Sequence, residues 1–155
     1  MPCRSLILSL LLALGSTAGL SAQSTREYIN PRSPADGQGA PFSGAVLVDE
    51  TLYMSGTLGR EADGSVPTTT EREARLVLDN IRDVLEDADM TMDDLVFVQI
   101  FCSDVAHYDA FNAVYRTYFE REFPARAFIG SGDLLFGARF EVQAIAVRRP
   151  ETAGS

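Results

Sequence analysis

The sequence predicts an α+β fold: a two-layer α/β sandwich in which a mixed sheet carries two helices on one face. Three observations predict it. Two stretches, 74–88 and 108–119, repeat apolar residues every three or four positions, the period of a helix with one buried stripe. Five shorter runs, near 45–48, 52–55, 95–101, 126–129 and 139–147, are apolar or alternating, as strands are. Their order is strand, strand, helix, strand, helix, strand, strand, which brings helices between sheet elements without building an all-parallel sheet. Such a sheet leaves its second face apolar, and burial by self-association, as a closed ring, is the economical way to cover it.

The 155-residue chain divides into four parts. Residues 1–22 read as a secretory signal: Arg4 near the start, a leucine-rich run from Leu6 to Leu14, and small residues from Ser16 to Ala22. The run is too short to span a bilayer unaided, so cleavage after Ala22 or Ala18 would give an exported protein, periplasmic or secreted, with no stable membrane association. Residues 23–40, with Pro31, Pro34, Gly37 and Gly39, read as a loose N-terminal arm. The domain occupies 41–149, and 150–155 is a polar tail.

Within the domain, Asp49-Glu50-Thr51 is the turn of a hairpin, and Gly56 at its far end allows close backbone approach. Thr70 and Glu73 have the spacing of a capping box for the first helix. The acidic run from Glu86 to Asp94 reads as a solvated helix end and turn rather than a metal site. Ser103 or Asp104 caps the second helix, whose stripe of Tyr108, Phe111, Val114, Tyr115, Tyr118 and Phe119 reads as core. Asn112 lies off the centre of that stripe, and its spacing gives it no role. The segment 130–137, with Gly130 and Gly132, follows a strand but opens no helix, so it is a lip and not a phosphate loop.

Composition removes most chemistries. Every basic residue is arginine, so Schiff-base catalysis is excluded for this chain acting alone. One histidine, His107, and one cysteine outside the signal, Cys102, leave almost no material for zinc sites or for serine and cysteine triads. Without residues 1–22 the chain keeps 12 arginines against 22 acidic residues, a formal charge of −10, which repels phosphate backbones and argues against nucleic-acid partners. Carboxylates, arginine, hydroxyls, backbone and water remain. Arg126 then stands out in Phe123-Pro124-Ala125-Arg126-Ala127-Phe128-Ile129, a permanent charge among apolar neighbours. It is either a bidentate receptor for a carboxylate or a structural ion pair or snorkelling side chain.

Several segments together resemble the RidA (YjgF) family: Pro41-Phe42-Ser43, Leu52-Tyr53-Met54-Ser55-Gly56, Asp79-Asn80-Ile81, Phe111-Asn112-Ala113-Val114-Tyr115, Phe123-Pro124-Ala125-Arg126 and Glu141-Val142-Gln143-Ala144-Ile145-Ala146-Val147. The resemblance covers residues 37–149, and Phe-Pro-Ala-Arg with a glutamate fifteen residues later is its specific part. It implies a chorismate-mutase-like subunit, a homotrimer with clefts between subunits, and hydrolysis of 2-imino and 2-enamino acids to 2-oxo acids and ammonia without a cofactor or metal. Arg126 corresponds to the arginine that grips the substrate carboxylate and Glu141 to the glutamate that positions water, the two paired across neighbouring strands. Ser55 and Gly56 correspond to a strand-end pair lining the cleft, Asn112 to an asparagine near the pocket, and Phe128 to a position whose backbone contacts substrate.

Three departures from the family pattern bear on substrate range. Phe42 stands where a tyrosine is usual, Phe128 where a cysteine is frequent, and the segment 130–135 lacks the usual Arg-Leu-Pro. The alternative function is a non-catalytic trimer that binds small carboxylates or holds damaged exported proteins.

Overall fold

The computed structural model describes residues 24–37 and 39–150. The expected signal segment 1–22 and the tail from 151 onward lie outside the described residues. A seven-stranded mixed sheet carries two α-helices on one face, the α+β two-layer arrangement expected from the sequence.

The N-terminal arm is not wholly loose. It contains strand β1 (Arg26–Ile29), which pairs antiparallel with β2 (Ala45–Val48). Only Ile29 of β1 is buried, so no apolar alternation marked it in the sequence. The expected hairpin joins β2 to β3 (Thr51–Met54), with Val48 opposite Thr51 across a two-residue turn. Asp49 takes a φ of 52° there, which its short polar side chain tolerates. Its carboxylate also accepts the N–H of Thr25 at 3.0 Å, fastening the arm to the turn.

A two-residue strand, β4 (Thr57–Leu58), follows and leads to helix α1 (Thr70–Glu86). The capping box is shifted from the expected one. Thr69 caps α1, accepting the N–H of Arg72, because three consecutive threonines offer alternative frames. Glu73 therefore does not reach back to the cap. It lies on the buried face with Ala74, Val77 and Leu78, and is itself fully buried. Its carboxylate accepts the N–H groups of Arg139 at 2.6 Å and Phe140 at 3.1 Å, and pairs with the Arg139 guanidinium at 2.7 Å. A buried charge persists only when paired and hydrogen-bonded to this degree. Gly59 lets β4 come this close, because a Cβ there would collide with the Glu73 carbonyl and sit 2.9 Å from Val77 N.

Strand β5 (Leu95–Cys102) is central, and Asp104 caps a 3-10 turn (Val105–His107) that runs into helix α2 (Tyr108–Tyr115). Strands β6 (Ala125–Gly130) and β7 (Phe140–Val147) complete the sheet in the order β1-β2-β3-β7-β5-β6, with β4 also on β7. The β5–β6 pair is parallel and the others are antiparallel. Leu52, Val98, Ile100, Cys102, Phe140, Val142, Ala144 and Ala146 face the helices and form the core with Leu78, Ile81, Leu85 and Phe111. Burial pushes the Cys102 thiol up, as expected of a small buried hydrophobe. The other face carries Val46, Tyr53, Phe97, Phe101 and Ile145, interrupted by Gln99, Gln143 and Glu141.

The acidic run is solvated except at its end. Asp94 is buried, and it binds the N–H and hydroxyl of Thr91 and the Arg149 guanidinium at 2.7 Å. Burial raises its pKa, but those hydrogen bonds outweigh burial and hold it below the usual 3.8. A depressed folded value stabilises the fold above the unfolded pKa and loses that contribution as pH falls through the folded one. The stability gap between the wild type and Asp94→Asn should be widest near neutral pH and close below about pH 3.8 in urea titrations. A constant gap would contradict the pairing. Glu73→Ala should cost about 3–5 kcal/mol in the same assay, the range for breaking a buried pair.

Candidate active site

The residues singled out in the sequence gather into two groups on one chain. The first lies at the β6 edge. Arg126 is opposite Val98 in the parallel β5–β6 ladder, so its side chain leaves the sheet on the helix-covered face. There its guanidinium donates to Asn112 Oδ1 at 2.7 Å and lies over the Tyr115 ring, 4.8 Å from the centroid. Tyr108 and Phe128 flank it at 5.8 and 5.9 Å.

Arg72, Arg82, Arg121, Arg139, Arg148 and Arg149 each pair with a carboxylate, whereas Arg126 pairs with none among the described residues. The ion-pair reading of Arg126 therefore has no partner within the described chain. One amide oxygen leaves most of the guanidinium's donors free, and the aromatic faces hold it flat. A cavity of about 220 Å³ opens beside it, lined by Asn112, Tyr115, Phe123 and Pro124.

Asn112 is buried, not peripheral as its spacing suggested. One helical turn of α2 brings Asn112 and Tyr115 to the same face, so an amide among aromatics was the available signal. The Tyr115 hydroxyl is buried without a hydrogen-bond partner among the described residues, and burial pushes its pKa up to about 12 although the Arg126 charge opposes the shift.

The second group lies on the open face. Glu141 of β7 is opposite Leu58 of β4 and Phe101 of β5. Its carboxylate rests on Gly56, where a Cβ would collide with Oε1 and stand 3.1 Å from Cδ. The absent side chain of Gly56 is therefore the space that the acid occupies. Ser55 donates its hydroxyl to the Ser43 carbonyl at 2.7 Å, so it secures the loop that carries Phe42. A cleft of about 630 Å³ surrounds Glu141, walled by Phe42, Leu58, Arg60, Leu135 and Phe136. No pattern in the sequence pointed to Arg60 or Phe136.

These two groups do not meet in one chain. The expectation of Arg126 and Glu141 on neighbouring strands is corrected, because β5 lies between β6 and β7. Arg126 is level with Val98 and Glu141 with Phe101, so two strand spacings and three residues separate them, about 14 Å between Cα atoms. They also project from opposite faces. Chain order could not reveal this, since β7 pairs on the far side of β5 instead of beside its predecessor.

The profile of the endoribonuclease L-PSP family matches residues 35–148. The chain belongs to this family, the RidA/YjgF family. A goat RidA-family relative named 2-iminobutanoate/2-iminopropanoate deaminase is 41% identical over 117 residues, 74% of this chain and 85% of the relative. The crystal structure of the Escherichia coli YjgF gene product superposes with a TM-score of 0.67 at 30% identity, covering 70% of this chain and 89% of that one. Escherichia coli TdcF with bound serine gives a TM-score of 0.69 at 25% identity, over 73% and 92% of the two chains.

Gly56→Ala tests the second group. The clash is with a flexible side-chain end, so Glu141 should swing away at little cost in melting temperature. Turnover of any substrate that uses Glu141 should fall at least about tenfold. An unchanged rate would mean that the Glu141 position is immaterial.

Proposed function

We propose that this chain hydrolyses 2-imino and 2-enamino acids to 2-oxo acids and ammonia, in clefts assembled between the subunits of a homotrimer. The observation that carries the reading is the pair of complementary groups: an arginine braced by Asn112 and free of any carboxylate among the described residues, and a carboxylate seated on a glycine in a cleft. The deaminase name of the goat relative supports the reaction class, and the serine bound to TdcF is itself an α-carboxylate.

A 2-imino acid joins a carboxylate to an electrophilic C=N carbon. Arg126 of one copy binds the carboxylate through two parallel hydrogen bonds, which orients it and neutralises the charge that repels a nucleophile. Glu141 of another copy accepts a proton from water as the oxygen bonds to the imine carbon. The same carboxyl group returns the proton to nitrogen. Glu141 then carries the hydroxyl proton to nitrogen in the same way, so that the C–N bond breaks as the C=O bond forms and ammonia departs. Oxidation state does not change, so the chemistry calls for no cofactor. Each effect is worth about 10²–10⁴-fold, sufficient for imines that already hydrolyse in water.

The segment 1–22 fits this scheme as an export signal, removed so that the mature trimer meets its imines outside the cytoplasm. N-terminal sequencing of the exported chain should start at Gln23 or Gly19, and recovery of an intact Met1 terminus would contradict export by cleavage. Phe42 at the cleft mouth, without a phenolic hydroxyl, favours a second reading in which the trimer binds small carboxylates and turns none over.

The test is ammonia release from imines generated in situ by an amino-acid oxidase with catalase present. The wild type should exceed buffer. Arg126→Ala should abolish the excess, and Arg126→Lys should recover only part of it, since an ammonium cannot form the planar two-point contact. Wild-type rates equal to buffer, with 2-oxo acids still bound, would replace deamination by the binding reading.

A further inference from the structure

The cleft around Glu141 is bounded by a wall that the reaction alone does not require. Phe42, Leu135 and Phe136 expose 53%, 68% and 67% of their surface, among the most exposed large apolar residues described, and all three line this cleft. Exposed apolar residues are ordinary when scattered, but grouped around one cleft they mark a binding surface.

Phe136 is also strained. Its φ is 60°, a left-handed conformation that bulky residues rarely adopt. Gly137 beside it is left-handed too, at a φ of 72°, so this turn needs two such residues in succession and only one of them is glycine. Arg60 lies 4.2 Å above the Phe136 ring and fixes its plane, while the Arg60 guanidinium reaches back to the Gly64 carbonyl at 3.5 Å. A strained ring, exposed yet pinned in place, is a feature maintained for contact.

Resting on the deaminase reading, we infer that Phe42, Leu135 and Phe136 take the side chain of the imino acid, so that this chain selects 2-imino acids bearing large aliphatic or aromatic groups. The alternative occupant of the wall is a second copy of the chain. Two observations favour the ligand: the surface is concave, with about 630 Å³ of space, and its floor is the Glu141 carboxylate. A flat apolar contact between copies would close this space and shut water and substrate away from Glu141.

The reaction with such a substrate is balanced as before: the side-chain-bearing imine carbon gains oxygen from water, nitrogen leaves as ammonia, and the apolar group is untouched. The wall acts through binding. Each methylene buried in an apolar pocket is worth about 10–200-fold in discrimination.

The experiment compares kcat/KM for imines generated from phenylalanine, leucine and alanine by an amino-acid oxidase, alongside the mass of each assembly by light scattering. The phenylalanine- and leucine-derived imines should exceed the alanine-derived one at least about tenfold. Phe136→Asn keeps a residue that tolerates the left-handed backbone and removes the ring, and Leu135→Ala shortens the wall. Each should reduce the preference several-fold at unchanged assembly mass. A preference for the alanine-derived imine would overturn this inference and leave the deaminase reading intact. Preference retained in both variants would also overturn it, as would a loss of assembly mass, which would make the wall a subunit contact. Turnover of none of the three imines would instead overturn the deaminase reading and this inference with it.

Discussion

The buried pair of Glu73 and Arg139 sets where everything else lies. Glu73 projects from the first turn of α1 into the core and accepts the N–H groups of Arg139 and Phe140, where β7 begins. Arg139 in turn reaches the carbonyls of Pro67 and Thr68, which lead into α1. A slip of β7 by one residue would leave a fully buried carboxylate without its donors and turn every side chain of the strand to the other face. Glu141 would then point into the core. The position of the candidate catalytic acid is thus a consequence of a structural carboxylate on α1, which grips the entry to β7 at Arg139, two residues before Glu141.

Arg126 is fixed by a different device. The α2 turn from Asn112 to Tyr115 supplies an amide oxygen and a ring face, which hold a guanidinium without cancelling its charge. Placing the arginine and the glutamate on opposite faces of the sheet has a chemical effect. Side by side in one chain they would form an ion pair, and neither would be available to a ligand. Separated by β5, they form no ion pair with each other. In the proposed trimer the open face, with Tyr53, Phe97, Phe101 and Ile145 beside Glu141, would give the contact between copies an apolar basis.

Much of this was legible in the residues. The three- and four-residue spacing of Ala74, Val77, Leu78, Ile81 and Leu85 marked α1, and the alternation from Phe140 to Val147 marked β7, because in both a single face is buried. Arg126 was conspicuous because a permanent charge among Phe123, Ala127 and Phe128 needs a reason. Other features were hidden for physical reasons. Glu73 reads as a capping residue of α1, since its burial depends on donors 66 and 67 positions away. Asn112 has no local signature, because its role comes from Arg126 on another element. β1 buries one residue and is held by backbone pairing, which composition does not report. The insertion of β7 beside β5 is a matter of topology, invisible to periodicity.

On the proposed mechanism one chain holds two incomplete halves of a site, and subunit exchange between Arg126→Ala and Glu141→Gln distinguishes that arrangement from a site complete in each copy. Each variant alone should show no imine hydrolysis above buffer. Mixed, unfolded together and refolded, they should recover a measurable fraction of wild-type activity, because some clefts then combine an intact arginine from one copy with an intact glutamate from another. A refolded mixture of wild-type mass that is as inactive as either variant would contradict the claim.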